Sequence, residues 1–319
     1  MASIRVGVLC DSFDPVCVYH LELCRSALSG RKLDRVYLLL NDDSDNIRCL
    51  APRRDRWRML VAACSENRSF IPVDAADASF SMKRIASGAK VIHLSMTEPF
   101  DHALCPSVEE YCCVLGLYGR EPSVKDAESR IAKLFAALNP HRFAHSLAVA
   151  RECRRLAVIY GVDKTAAEEA GLLHDCAKCL PLQEMQRLVL GASMTSDPDV
   201  LASGALLHSL AGAVLARTKY GVSDEEELFA IEYHNTGHPG MSKLAMIVCL
   251  ADYIEPNRES LPYLEETRRL ADISLERALL LSLENTIRHV ISKGRYLDQR
   301  TVETVSWLKT LPAVALKTV

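Results

Sequence analysis

The 319-residue chain lacks three features that would place it in a broad class at once. No uninterrupted apolar run approaches the ~20 residues of a membrane-spanning helix, so no membrane partner is expected. The first residues, Met1-Ala2-Ser3-Ile4-Arg5, lack a signal-peptide pattern and continue into a strand-like segment. A net charge of -3 gives no sign of a general nucleic-acid binder. A phosphate-bearing substrate would therefore have to be held by local cations.

Cysteine is plentiful, with 12 residues, but its placement does not indicate disulfides. Cys64, Cys153 and Cys249 lie in apolar helical or strand-like patterns, and no secretion signal accompanies them. Reduced thiols in a cytoplasmic protein are expected. The stretch Cys176-Ala177-Lys178-Cys179 is formally a CxxC motif, but it stands alone and is interpreted as packing.

The length of the chain suits about two domains. The order of predicted strands and helices changes once along the sequence. The strand-like segments are 4–9, 35–40, 70–73 and 90–94, and the helix-like segments among them are 20–28, 54–64 and 108–115. This alternation predicts an α/β domain with a parallel, Rossmann-like sheet. From about residue 124, helical periodicity predicts an all-α bundle. With a linker at 119–123, the predicted domains are 1–119 and 124–319.

Histidine and aspartate recur at inward-facing positions of the helical half. His174-Asp175 closes the apolar run 170–173, where unpaired polar groups are costly to bury. His145 begins an apolar helical stripe, and Asp252 lies on the apolar face of a later helix. Helical bundles build metal sites from such inward-facing ligands on several helices. The predicted metal ligands are therefore His145, His174, Asp175 and Asp252.

This ligand set suits a divalent transition metal, with one or two ions left open. Such an ion lowers the pKa of bound water from 15.7 toward ~7, which suits phosphoester or anhydride hydrolysis. His208 and His234 either bind a second ion or donate hydrogen bonds to phosphate. Lys178 and Arg258 are placed to neutralise phosphoryl oxygens. Asp175 either bridges two metals or activates the water.

Five motifs in the helical half carry a resemblance to a known family. They are His141-Arg142-x-x-His145, Leu172-Leu173-His174-Asp175-x-Ala177-Lys178, Leu207-His208, His234-x-Thr236-Gly237 and Ala251-Asp252-Tyr253-Ile254-Glu255-Pro256-x-Arg258. Together they resemble the HD superfamily. Over about residues 125–312 the chain is similar to its YqeK-type symmetrical diadenosine tetraphosphate hydrolases.

That resemblance implies an iron-dependent phosphohydrolase that cuts diadenosine tetraphosphate into two ADP. It assigns metal binding to His145, His174, Asp175 and Asp252, and it places His208 and His234 along the phosphate path. The sequence departs from the family at Asn235, where threonine is frequent.

The N-terminal half carries a weaker resemblance. The stretch Ser12-Phe13-Asp14-Pro15-Val16-Cys17-Val18-Tyr19-His20 follows the first strand and resembles the nicotinate mononucleotide adenylyltransferase pattern. Cys10-Asp11 replaces its paired glycines, Cys17 its first histidine and Tyr19 its second glycine. Ser95-Met96-Thr97-Glu98-Pro99 resembles its late phosphate motif without the arginine. A degenerate, non-catalytic domain is expected, with weak nucleotide binding or packing on the helical domain left open.

The leading hypothesis is a cytoplasmic, metal-dependent diadenosine tetraphosphate hydrolase with a degenerate nucleotidyltransferase-like domain. The alternatives are another HD phosphohydrolase acting on a monophosphate or cyclic nucleotide, a bifunctional enzyme with nicotinate mononucleotide adenylyltransferase activity, and a nucleotide-sensing module. The expected partner is a small nucleotide, with neither nucleic acid nor membrane. A homodimer is left open.

Overall fold

The computed structural model describes residues 4–41, 49–77, 89–96, 102–258 and 263–315. The chain forms two compact units, Met1–Ser123 and Val124–Val319. The predicted linker, 119–123, falls at the end of the first unit. That residues 1–119 and 124–319 are two separate domains stays a prediction.

In the first unit, the described residues form one parallel sheet of four strands in the order β3-β2-β1-β4. The strands are β1 Ile4–Asp11, β2 Arg35–Leu40, β3 Phe70–Asp74 and β4 Ala89–Leu94. The helices are α1 Val18–Gly30, α2 Arg53–Cys64 and α3 Pro106–Leu115. The parallel sheet, with α1 between β1 and β2 and α2 between β2 and β3, confirms the predicted α/β class with a Rossmann-like sheet.

The central strand β1 places the motif of the N-terminal half. It pairs with β2 on one side and β4 on the other, and its middle residues, including Val6, Val8 and Leu9, are buried. The chain leaves its carboxyl end at Asp11 and enters α1 after a short loop. Thr97-Glu98-Pro99, part of the predicted phosphate motif, lie outside the described residues.

In the second unit, the described residues form helices and no strand, which confirms the predicted all-α region. The helices are α4 Ala127–Ala137, α5 Pro140–Tyr160, α6 Lys164–Leu173, α7 Leu182–Gly191, α8 Pro198–Ala202, α9 Gly204–Thr218, α10 Glu225–Tyr233, α11 Lys243–Ile254, α12 Leu264–Ala271, α13 Leu275–Ser292, α14 Gln299–Leu308 and α15 Pro312–Ala315. No helix of the described residues is both long enough and apolar enough to cross a bilayer.

The close packing of α5 on α6 sets the geometry of the helical core. A Cβ atom at Gly171 of α6 would lie 2.7 Å from Cys153 Sγ and 3.1 Å from the Cα of Ala150, both on α5. Glycine therefore permits an approach of the two backbones that a side chain would prevent. Helix α11 packs against both α5 and α6. The three helices bring distant parts of the chain to one buried point.

Candidate metal centre

The four predicted metal ligands meet where α5, α6 and α11 pack together. His145 comes from α5, His174 and Asp175 directly follow α6, and Asp252 comes from α11. His145 Nε2 lies 3.0 Å from Asp252 Oδ1, while His174 Nε2 lies 3.7 Å from Asp175 Oδ2 and 3.9 Å from Asp252 Oδ1. The structure thus brings all four side chains together.

Hydrogen bonds at the outer nitrogens orient the two histidines. His174 Nδ1–H donates to the Gly171 carbonyl at 2.7 Å, and His145 Nδ1–H donates to Glu255 Oε1 at 3.3 Å. Each partner only accepts, so each ring turns its Nε2 atom toward the cluster. This is the arrangement in which metal-binding histidines are normally held. Sequence reasoning gave Glu255 no role, although its place three residues after Asp252 was a signal.

Three inward-facing atoms of the cluster are buried without a hydrogen bond from any described residue. They are His145 Nε2, His174 Nε2 and Asp175 Oδ1. Native proteins rarely leave buried polar atoms unsatisfied. Two imidazole nitrogens and a carboxylate oxygen, all available as electron-pair donors, fit a divalent transition metal.

His208 and His234 extend the cluster on the other side of Asp175. His208 Nε2 lies 3.1 Å from Asp175 Oδ1 and 3.1 Å from His234 Nε2. His234 Nδ1–H donates to the Ile231 carbonyl at 2.8 Å. Two overlapping groups have ligand atoms within 4.8 Å of one another: His145, His174 and Asp252, and His174, Asp175 and His234. The geometry is thus compatible with one ion or two.

Among the described residues, the cationic side chains of Lys178, Arg258 and Arg142 border the cluster. Lys178 Nζ lies 3.0 Å from His208 Nε2 and 3.6 Å from Asp175 Oδ1. Arg258 Nη2 donates to Asp252 Oδ1 at 2.8 Å. Arg142 Nη1 donates to Asp175 Oδ2 at 3.0 Å. Sequence reasoning named Lys178 and Arg258 but left Arg142 without a catalytic role, although the motif His141-Arg142-x-x-His145 contains it.

The protein environment keeps most side chains of the cluster in the protonation states that bind a metal. Burial raises the pKa of Asp175, but the charge of His174 and the adjacent His208 ring outweigh it and hold that pKa well below its usual range. Burial and the charge of Lys178 lower the pKa of His208 to about 4. Burial and His174 lower the pKa of His234 to about 4. Ionised carboxylates and neutral imidazoles are the forms that bind divalent cations.

His145 differs from the other histidines because carboxylates surround it. Burial lowers its pKa, but the adjacent Asp252 carboxylate, the hydrogen bond to Glu255 and the charge of Asp175 outweigh burial and raise the pKa to about 9. The proton on His145 compensates for this concentration of negative charge. A divalent cation bound by the same carboxylates would provide that compensation and favour the neutral ring. The donor set and its charge therefore fit a divalent metal.

A cavity of about 570 Å³ opens beside the cluster. His234, Asp252 and Arg258 line the side shared with the cluster, and Tyr253, Tyr263 and Arg288 are among the residues lining the rest. A volume in this range suits a drug-sized ligand. The lining combines cationic groups for phosphate with aromatic rings that can contact a base.

The loop after β1 uses its own backbone donors internally. Asp11 Oδ1 accepts hydrogen bonds from the backbone N–H groups of Ser12 at 2.5 Å and Phe13 at 3.4 Å. A glycine-rich phosphate loop would direct such N–H groups at its ligand. The Asp11 carboxylate instead occupies them. The loss of adenylyltransferase activity stays a prediction.

The helical unit is thus a bundle domain built around a buried histidine–aspartate centre with divalent-metal chemistry. Residues 142–257 match the family model described as the HD domain. The Bacillus subtilis protein named bis(5'-nucleosyl)-tetraphosphatase, symmetrical, is 36% identical over 186 residues, which span 57% of this chain and 96% of that protein. The chain belongs to the HD-domain family of these symmetrical tetraphosphatases. Members of HD families depend on divalent metals, and the histidine–aspartate groups described above suit one.

Two further comparisons cover different shares of the chain. A crystal structure described as a predicted HD superfamily hydrolase involved in NAD metabolism, from Clostridium acetobutylicum, aligns with a TM-score of 0.56 at 40% identity. It covers 58% of this chain and 97% of that one. A Mycoplasma genitalium protein named probable nicotinate-nucleotide adenylyltransferase/Ap4A hydrolase is 33% identical over 160 residues, 48% of this chain and 45% of that protein. The match thus spans about half the length of that relative.

Proposed function

We propose that this chain hydrolyses diadenosine tetraphosphate symmetrically to two ADP, using a divalent metal and preferentially iron. The observation that supports the proposal is the buried cluster of His145, His174, Asp175 and Asp252, whose inward-facing atoms fit a metal. The proposed substrate is the one for which relatives such as the Bacillus subtilis protein are named. A cytoplasmic location and a homodimer stay predictions.

The residues of the centre divide into those that hold the metal and those that handle phosphate. His145, His174, Asp175 and Asp252 hold the metal, and Asp175 turns its other oxygen toward His208. When bound, a divalent cation supplies the Lewis acidity that activates water and polarises the phosphoryl group. His208, neutral at pH 7, can donate a hydrogen bond to a phosphoryl oxygen. His234 has its one N–H on the Ile231 carbonyl, so its Nε2 lone pair suits a metal rather than a phosphoryl oxygen.

The bordering cations favour attack at an inner phosphorus. Lys178 lies beside Asp175 and Arg258 beside Asp252, so the two cations can neutralise charge on more than one phosphate of a polyphosphate. Attack at an inner phosphorus of a symmetrical substrate expels ADP. ADP is a far better leaving group than an adenosine alkoxide, so anhydride cleavage is favoured over ester cleavage.

Product analysis tests this proposal. Purified protein supplied with ferrous, manganous or cobaltous ions is expected to convert diadenosine tetraphosphate into ADP alone, as measured by anion-exchange chromatography. Adenosine monophosphate and a cyclic nucleotide, assayed in parallel, are the controls for the other HD phosphohydrolase alternative. AMP plus ATP would contradict symmetrical cleavage. Binding without turnover under all three metals would favour a nucleotide-sensing module.

We further propose that the first unit does not transfer adenylate, although the Mycoplasma genitalium relative bears a double name. Asp11 occupies the loop amides, and Cys17 replaces the first histidine of the motif. With ATP and nicotinate mononucleotide, the full chain is expected to form no dinucleotide detectable by chromatography. The assay is best repeated in the His174→Ala variant, where hydrolysis at the metal centre cannot remove a product. ATP-dependent dinucleotide formation in either protein would overturn this prediction.

A further inference from the structure

A second cluster of titratable groups lies in the first unit, apart in sequence from every residue of the metal centre. Cys17 is the N-cap residue of α1, and its Sγ atom lies 2.9 Å from His20 Nδ1. On the other edge of the same ring, His20 Nε2 lies 3.4 Å from Asp11 Oδ2. A thiol, an imidazole and a carboxylate thus stand in series, which is the arrangement that activates cysteine nucleophiles.

The protein environment shields the inner part of this cluster and leaves its outer end accessible. Cys17 and His20 are 2% and 4% exposed, whereas 32% of the Asp11 side chain is exposed. The Phe13 ring packs against His20 with a centroid separation of 5.1 Å. The small exposed fraction of Cys17 excludes bulky reagents from its sulfur.

The neighbouring charged groups are engaged elsewhere. Arg56 of α2 donates from Nη1 to the Ser12 carbonyl at 2.7 Å. Asp14 accepts from the Tyr118 hydroxyl at 2.6 Å and from the Ala51 backbone at 3.1 Å. Among the described residues, Asp11 places a carboxylate oxygen 3.4 Å from His20 Nε2, and that charge favours a protonated ring.

Electrostatics agree with this geometry. Burial raises the pKa of the Cys17 thiol, but the hydrogen bond and charge of His20 outweigh burial and hold that pKa below its usual value. Burial lowers the pKa of His20, but hydrogen bonds to Asp11 and Cys17 raise it to about 9. By contrast, burial raises the pKa of Cys24, two turns further along α1, to about 12.

We propose that Cys17, His20 and Asp11 form a second reactive centre, in which Cys17 is a nucleophile that small hydroperoxides oxidise. His20 accepts the thiol proton, Asp11 stabilises the resulting imidazolium, and the start of α1 favours negative charge on sulfur. The nearly complete burial of the sulfur restricts the co-reactant to a molecule as small as hydrogen peroxide.

The proposed step balances with hydrogen peroxide as the oxidant. The thiol proton moves to His20 Nδ1, and the sulfur electron pair attacks one peroxide oxygen. A sulfur–oxygen bond forms while the oxygen–oxygen bond breaks, so Cys17 becomes a sulfenic acid and the peroxide is reduced. The departing hydroxide takes the proton from His20 and leaves as water.

His20 also has a structural explanation that the test must separate from activation. When the ring is neutral, its Nδ1 atom accepts a hydrogen bond from the Cys17 backbone N–H at 3.0 Å, as the third helical residue does in a capping box. Glutamine is a normal residue at that position and can accept the same hydrogen bond. The His20→Gln variant therefore retains the cap and removes the base.

Site-resolved oxidation tests the proposal in the full-length protein. Trypsin releases the peptide of residues 6–25, which carries Cys10, Cys17 and Cys24, so two other cysteines serve as internal references. After timed exposure to hydrogen peroxide at pH 6 and pH 8, catalase quenching and denaturing alkylation, fragment mass spectra give the free thiol remaining at each site. At pH 6, Cys17 is expected to lose its thiol about tenfold faster than Cys24.

The variants decide between activation and capping. In His20→Gln, the oxidation of Cys17 at pH 6 is expected to slow about tenfold and to recover toward pH 8, because the thiol must then ionise unaided. Asp11→Asn is expected to shift the pH profile in the same direction, and far-UV circular dichroism checks both folds. Oxidation of Cys17 no faster than that of Cys24 would overturn the proposal. So would an unchanged rate and pH profile in both variants.

Discussion

Replacing His174 by alanine is expected to abolish hydrolysis and to empty the metal centre. His174 is fully buried, its Nε2 atom belongs to both groups of ligand atoms, and its Nδ1–H is fixed by the Gly171 carbonyl. Losing it removes a ligand that both groups share. We expect turnover to fall by at least about a thousandfold, which corresponds to about 4 kcal/mol of activation free energy. Elemental analysis of the purified variant is expected to show loss of metal.

Asp175→Ala is expected to have the same two effects, because Asp175 links the His145 side of the cluster to the His208 side. His238→Gln is the matched control. His238 also belongs to the helical unit, but its Nδ1 atom contacts the Pro239 carbonyl and its ring packs against Phe229 and Tyr233. Wild-type metal content in folded His174→Ala and Asp175→Ala proteins would refute the assignment of the centre.

Lys178→Ala is expected to lower turnover by about a hundredfold while the metal stays bound. Lys178 Nζ lies beside His208 and Asp175 without occupying a position among the four ligands. Its removal takes away positive charge that the transition state needs, but no donor to the metal. Steady-state kinetics with diadenosine tetraphosphate and elemental analysis measure the two effects separately. The expected signature is a fall in kcat at unchanged metal content.

Two controls sharpen this prediction. Lys178→Arg keeps the charge and is expected to recover a large part of the lost turnover. Lys243→Ala removes an exposed lysine at the start of α11 and is expected to leave turnover unchanged. A loss of metal in Lys178→Ala would show that the lysine supports the ligands instead. Full activity in that variant would show that phosphate is neutralised by other groups, such as Arg142 or Arg258.

Local sequence patterns predicted the elements well, because periodicity and turn residues act over a few neighbouring positions. The segment predicted as a strand at 35–40 is β2, and the helix predicted at 54–64 is α2, one residue longer at its start. The pairing of apolar runs with His and Asp likewise indicated which side chains face inward. That these side chains act as metal ligands and catalytic groups stays a prediction, which the variants described above test.

The sequence by itself thus determined the fold class of each half, the change of pattern near residue 124 and the identity of the inward-facing histidines and aspartates. Only the tertiary structure decided which groups meet. His145 and Glu255 are separated by 110 residues, and Arg142 and Asp175 by 33, yet each pair is in contact. A helical period defines the face on which a side chain lies, whereas its partner depends on how α5, α6 and α11 pack. The series of Asp11, His20 and Cys17 depended in the same way on where β1 ends against the start of α1.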